Sequence, residues 1–80
     1  MNGNADKSLK PACQDQVEHI SKRIKQLRRE RGLTVQELAY RCDMERSNVS
    51  RIESGRSNPT LRTLCVICRA LEISLGELVE

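Results

Sequence analysis

The sequence predicts an all-α fold of five short helices, and three observations carry that expectation. Apolar residues recur at three- and four-residue spacings, with no alternating pattern of the kind a half-buried strand needs. Capping boxes precede three of the apolar runs, at Asp15 and Glu18, Thr34 and Glu37, and Ser74 and Glu77. Stop signals separate the runs, with Gly32 and Gly55 placed to end helices and Pro59 inside a loop.

With 80 residues the chain is one domain at most. Folding at this size buries only about 60% of the surface that the unfolded chain exposes, so the core is small. One Tyr and no Phe or Trp make that core aliphatic. Residues 1–14 hold little that is apolar and read as a flexible tail, leaving 15–80 as the folded domain.

Asp15 opens the first helix, and Val17, Ile20, Ile24 and Leu27 follow on one face. Thr34 opens the second, where Leu33 and Leu38 stand at the positions of a hydrophobic staple, and Leu38 and Ala39 begin its buried stripe. Cys42, Asp43 and Met44 form a short turn into a third helix from about Glu45 to Ser54, with Val49 and Ile52 facing inward. Thr60 caps a fourth helix carrying Leu61, Leu64, Ile67, Cys68 and Leu71 on one face. A last short helix after Ser74 carries Leu75, Leu78 and Val79.

A charged content of 31% and the lack of a long apolar run exclude a membrane span. No apolar signal core opens the chain, so a cytoplasmic location is expected, with the four cysteines reduced. The net charge of +3 is small, but Lys22, Arg23, Lys25, Arg28, Arg29 and Arg31 cluster against the single acid Glu30. The last nine residues hold Glu72, Glu77 and Glu80 and no base. A basic region opposite an acidic end suits a polyanion-binding face.

The second and third helices, joined by a tight turn, have the layout of a helix-turn-helix. Ala39 sits where the two would cross and permits close approach, while Val49 and Ile52 pin the third helix from behind. Arg46, Ser47, Asn48, Ser50 and Arg51 are left on its outer face, and these residue types can reach base edges or phosphates.

From Ile20 to Glu80 the chain resembles the lambda-repressor-like, or Xre/Cro, helix-turn-helix family. The matching words are Ile24-x-x-Leu27-Arg28, Glu30-Arg31-Gly32-Leu33-Thr34, Glu37-Leu38-Ala39, Val49-Ser50-Arg51-Ile52-Glu53-x-Gly55, Asn58-Pro59-Thr60-Leu61 and Ala70-Leu71-Glu72-Ile73-Ser74, in the family's order. The resemblance implies a five-helix domain whose third helix lies in the major groove of double-stranded DNA. Arg46, Ser47 and Arg51 would then read bases, and Asn48 would read bases or hold phosphate. Thr34, Gln36, Ser50, Arg56 and Ser57 would hold phosphate, helped by the dipole of the second helix. An Arg matching Arg28 pairs with a Glu matching Glu53 in this family, which implies a structural salt bridge from the first helix to the third. The last helix would form a twofold homodimer. Three positions depart from the family pattern. Val35 stands where a phosphate-gripping Gln is common, Asp43 where the turn has Gly, and Glu45 where the third helix opens on Ser or Thr.

Cys65-x-x-Cys68 invites a zinc or redox reading, but only Cys13, Cys42 and His19 remain as further ligands, on three other segments. Cys42 and Cys68 fall at apolar positions, where free cysteine acts as a small hydrophobe. Cys13, in the tail, is the thiol expected to react first, and His19 is expected on the surface. No cofactor, metal or catalytic constellation is expected, since no base stands by Ser47 or Ser50. Three functions remain in play: a DNA-binding transcription regulator, a module acting with a protein partner such as an antitoxin or a restriction-modification controller, and a thiol- or metal-responsive sensor. The chain leaves no room for a ligand-binding domain, so control by concentration or by a partner is expected.

Overall fold

The computed structural model describes residues 14–80, which form five helices and no strand. These are α1 (Gln14–Glu30), α2 (Val35–Cys42), α3 (Arg46–Glu53), α4 (Leu61–Leu71) and α5 (Leu75–Val79). The tail reading for residues 1–14 lies outside the described residues except at Gln14, which belongs to α1, and the reactivity expected of Cys13 lies outside them as well. α1 already includes Gln14, so Asp15 sits inside its first turn rather than capping it, where a negative charge still complements the helix dipole.

The other starts are capped by side chains wherever Ser or Thr is available. Thr34 Oγ1 accepts from the Glu37 N–H at 3.0 Å while Glu37 Oε1 accepts from the Thr34 N–H at 2.8 Å. Ser74 and Glu77 repeat the reciprocal pair, and Thr60 Oγ1 accepts from the Thr63 N–H at 3.1 Å. Leu33 and Leu38 are both buried, as a staple over the start of α2 requires.

Each of the first four helices ends in a Schellman motif. After α1, the Leu33 N–H reaches the Arg28 carbonyl and the Gly32 N–H reaches that of Arg29. Gly32 (φ 70°) and Gly55 (φ 79°) take the left-handed position after α1 and α3 at little cost. Asp43 (φ 56°) and Glu72 (φ 62°) hold the same conformation after α2 and α4, although neither is a glycine.

The core is aliphatic. Ile24, Leu38, Val49, Ile67, Leu71 and Leu78 are fully buried, one or two from each helix, with Ala39, Cys42 and Cys68 filling the smaller gaps. α2 packs on α3 and on α4, while α1 runs behind α3 and against α5. Ala39 is fully buried, consistent with a close α2–α3 crossing. Leu61 departs from expectation, being 65% exposed. As the first residue of α4 it tilts toward the helix's amino end, as helical side chains do, and it overshoots the core that Ile67 and Leu71 fill.

The basic stretch of α1 does not stand apart from the acidic end. Arg23 Nη2 donates to the Glu77 carbonyl at 2.9 Å, and Arg31 Nε donates to the Leu71 carbonyl at 2.8 Å. With Arg28 turned inward, half of the six bases serve the fold, and only Lys22, Lys25 and Arg29 remain as exposed bases without such a contact. Arg31 and Arg41 complete the end of α4. The Schellman pair takes the carbonyls of Cys68 and Arg69, Arg41 Nη1 lies 3.5 Å from that of Ala70, and Arg31 takes Leu71. All four carbonyls that a helix end leaves over are therefore answered.

Candidate nucleic-acid interface

α3 presents its polar residues because its apolar ones are consumed. Val49, Ile52 and Glu53 are buried, and Arg46, Ser47, Asn48, Ser50 and Arg51 are all exposed. At about 100° per residue, Ser47 and Arg51 stand at the centre of the outward face. Arg46 and Ser50 flank them on one side and Asn48 on the other. Two guanidinium groups on the face give fork-shaped donors suited to guanine O6 and N7, and the hydroxyls and the amide add donors and acceptors.

What holds this face in place is a buried ion pair. Arg28 Nε donates to Glu53 Oε2 at 2.7 Å and Nη2 to Glu53 Oε1 at 3.1 Å, a bidentate contact with both side chains below 10% exposure. Arg28 Nη1 also donates to the Leu33 carbonyl at 2.7 Å. One guanidinium thus ties α1 to the end of α3 and to the segment that leads into α2. Its charge is spent internally and is unavailable to a ligand.

Beyond α3 the Schellman turn brings the Arg56 N–H onto the Arg51 carbonyl at 3.2 Å. Ser54 Oγ donates to the same carbonyl at 2.8 Å and accepts from Arg56 Nε at 3.2 Å, so Arg56 is exposed but locally oriented. Ser57, after it, is half-buried. At the start of α2, Thr34 and Gln36 are exposed, but the capping box consumes the N–H groups of Thr34 and Glu37. The Thr34 N–H bond, followed by the bond to the Thr34 hydroxyl, lowers the Glu37 pKa below its ordinary 4.5, so an ionised carboxylate stands at that helix end. An anion there is left only the N–H groups of Val35 and Gln36.

Several features escape local sequence patterns. Arg23, Arg31 and Arg41 act on carbonyls at least 29 residues away, and no short-range signal marks them. Tyr40, the one aromatic residue, is 85% exposed on α2, on the side opposite the Leu38–Ala39–Cys42 stripe, which the helical spacing alone could have shown. Among the described cysteines, Cys42 and Cys68 are buried and Cys65 is exposed. Burial pushes both buried thiols up in pKa. Among the described residues no group of three or more His, Cys, Asp or Glu could hold a metal ion, and no helix is long and apolar enough to cross a membrane.

Helix order, the α2–α3 crossing and the exposed polar face of α3 define a helix-turn-helix domain of the lambda-repressor-like kind. The chain belongs to the helix-turn-helix domain family, which matches residues 19–80. It is 40% identical over 60 residues to the uncharacterized HTH-type transcriptional regulator y4dJ of Sinorhizobium fredii, covering 75% of this chain and 78% of that one. It is also 40% identical over 60 residues to the immunity repressor protein of Bacillus phage phi105, across 75% of this chain but only 42% of the repressor. Among solved structures it superposes with a TM-score of 0.74 on the restriction-modification controller protein C.Esp1396I, described as a tetramer in complex with its natural 35 base-pair operator. That likeness is at 33% identity and covers 80% of this chain and 88% of the controller. The chain is accordingly a DNA-binding protein of the transcription-regulator class.

Proposed function

We propose that this chain reads a specific double-stranded DNA sequence as a homodimer, with α3 in the major groove, and thereby regulates transcription. The observation that carries the reading is the outward face of α3, five polar side chains on a helix fixed from behind by Val49, Ile52 and the Arg28–Glu53 pair. Arg46, Ser47 and Arg51 read bases, with Asn48 beside them, and Arg56, Ser57, Ser50, Thr34 and Gln36 hold the backbone. The dimer forms through α5, where Val79 is 47% exposed and offers an apolar edge to a second copy. Half-sites then lie about 34 Å apart, one turn of DNA.

Selection from random duplexes with the purified protein, beside the Arg46→Ala/Arg51→Ala pair, tests this. A twofold symmetric site that vanishes with the double variant supports it, and enrichment of nothing at low or moderate salt refutes it. Arg56→Ala should weaken all duplexes about equally and reduce the salt slope by about one. The likeness to C.Esp1396I favours, as a second reading, a controller of a restriction-modification operon using the same face. A selected site lying upstream of this chain's own gene beside a restriction-modification pair would favour it.

A further inference from the structure

α3 opens unlike the other helices. Thr34, Thr60 and Ser74 each cap a helix with a hydroxyl that accepts from the N3 backbone N–H. Glu45 occupies the same position before α3, with the same extended backbone (φ −77°, ψ 146°), yet its side chain makes no capping bond. The third N–H of α3, that of Asn48, reaches the Glu45 main-chain carbonyl at 3.0 Å instead, beside the first regular helical bond from Val49 at 3.2 Å.

The exposed Glu45 side chain therefore stands next to Arg46 at the leading end of the helix without a capping hydrogen bond. It is a poor choice on two counts. A Ser or Thr would stabilise the helix start, and a carboxylate at the leading end of a helix that carries Arg46 and Arg51 weakens attraction to phosphate. One contact turns both losses to use, a hydrogen bond accepted from a base.

Resting on the reading of α3 as the major-groove helix, we propose that Glu45 is a specificity residue that accepts a hydrogen bond from the N4 amino group of a cytosine at the edge of the site read by Arg46. The major-groove chemistry selects that base. Cytosine offers the N4 donor with only a C–H beside it, whereas adenine sets its N7 acceptor next to the N6 donor and repels the second carboxylate oxygen. Guanine and thymine present acceptor oxygens there, which a desolvated carboxylate rejects. The residue that costs general affinity thus supplies discrimination at one position of each half-site.

Site selection and anisotropy titrations with the wild type, Glu45→Ala, Glu45→Gln and Glu45→Thr test the proposal. The wild type should enrich cytosine at one symmetric pair of positions. Glu45→Ala should relax that position alone, lowering discrimination there about tenfold, while affinity for random duplex rises. Glu45→Gln should move the preference toward adenine, whose N6 and N7 match an amide. Glu45→Thr should lose the cytosine preference while melting about 4–8 °C higher, because it regains a cap, which separates lost reading from lost folding. A wild-type site whose every position survives in Glu45→Ala overturns the assignment and leaves the DNA-reading function intact. Absence of any wild-type site overturns both.

Discussion

Arg28→Ala should be among the most damaging single substitutions in this chain. It removes three donated hydrogen bonds, two to Glu53 and one to the Leu33 carbonyl. The Glu53 carboxylate then remains below a tenth exposed with no cation. Breaking a buried pair from one side costs about 3–5 kcal/mol. A domain of this size has only about 4–12 kcal/mol of stability in total. At about 4–8 °C per kcal/mol the melting temperature should fall by roughly 12–40 °C. Circular dichroism melts and urea titrations would measure this directly. Arg28→Lys should fall between, since an ammonium cannot span both Glu53 oxygens and the Leu33 carbonyl in one planar fork. Replacing the pair together, Arg28→Met with Glu53→Leu, should recover much of the loss, because no unpaired charge is left. A melting point for Arg28→Ala within a few degrees of wild type would refute the reasoning. So would a double variant no more stable than the single one.

The capping boxes make a pH prediction. Backbone and then hydroxyl hydrogen bonds, to Thr34 and Ser74 respectively, hold the Glu37 and Glu77 carboxyls below their ordinary 4.5. The unfolded chain therefore takes up these protons first as pH falls. The stabilisation is complete above pH 4.5 and is lost progressively below it, as pH drops through the folded-state values. Glu37→Gln/Glu77→Gln should flatten the acid limb of a melting-temperature profile, and an unchanged limb would count against the boxes. Alkylation mapped by mass spectrometry should mark Cys65 in the folded protein and reach Cys42 and Cys68 only on unfolding, in keeping with their burial. Fast labelling of Cys68 in native buffer would contradict its place in the core. Glu72→Gly should stabilise by about 0.5–1 kcal/mol, since a left-handed residue with a side chain is strained where glycine is not. The melting temperature should rise by a few degrees, and a fall would show that the side chain contributes more than its strain costs.

The fold is legible in the sequence because its signals are local. A capping box spans four residues, a Schellman stop six, and an apolar stripe two turns, so Thr34, Gly32 and Leu38 announce their roles without a partner elsewhere. The exceptions fall where a role depends on distance along the chain. Leu61 carries the spacing of a core residue, yet whether its side chain meets a neighbour depends on where α4 crosses the others, and it lies past the edge. Charge composition misled in a similar way, since Arg23, Arg28 and Arg31 look like part of a polyanion-binding stripe and instead bond groups on α3, α4 and α5.

Of the candidate interface, the outward face of α3 could be read from helical period alone, and the Arg28–Glu53 link only through family resemblance. The two facts belong together. A helix of eight residues is too short to hold its own shape in water, so its reading face is only as fixed as its attachments. Val49 and Ile52 set its depth, but apolar contacts tolerate sliding. The bidentate pair at Glu53, in the last turn, is directional and resists rotation about the helix axis. Rotation by one residue, about 100°, would exchange Arg51 for Ile52 at the outer surface. The buried charge pair is therefore better understood as setting the orientation of α3 than as adding net stability, for which an apolar pair of similar size would serve as well.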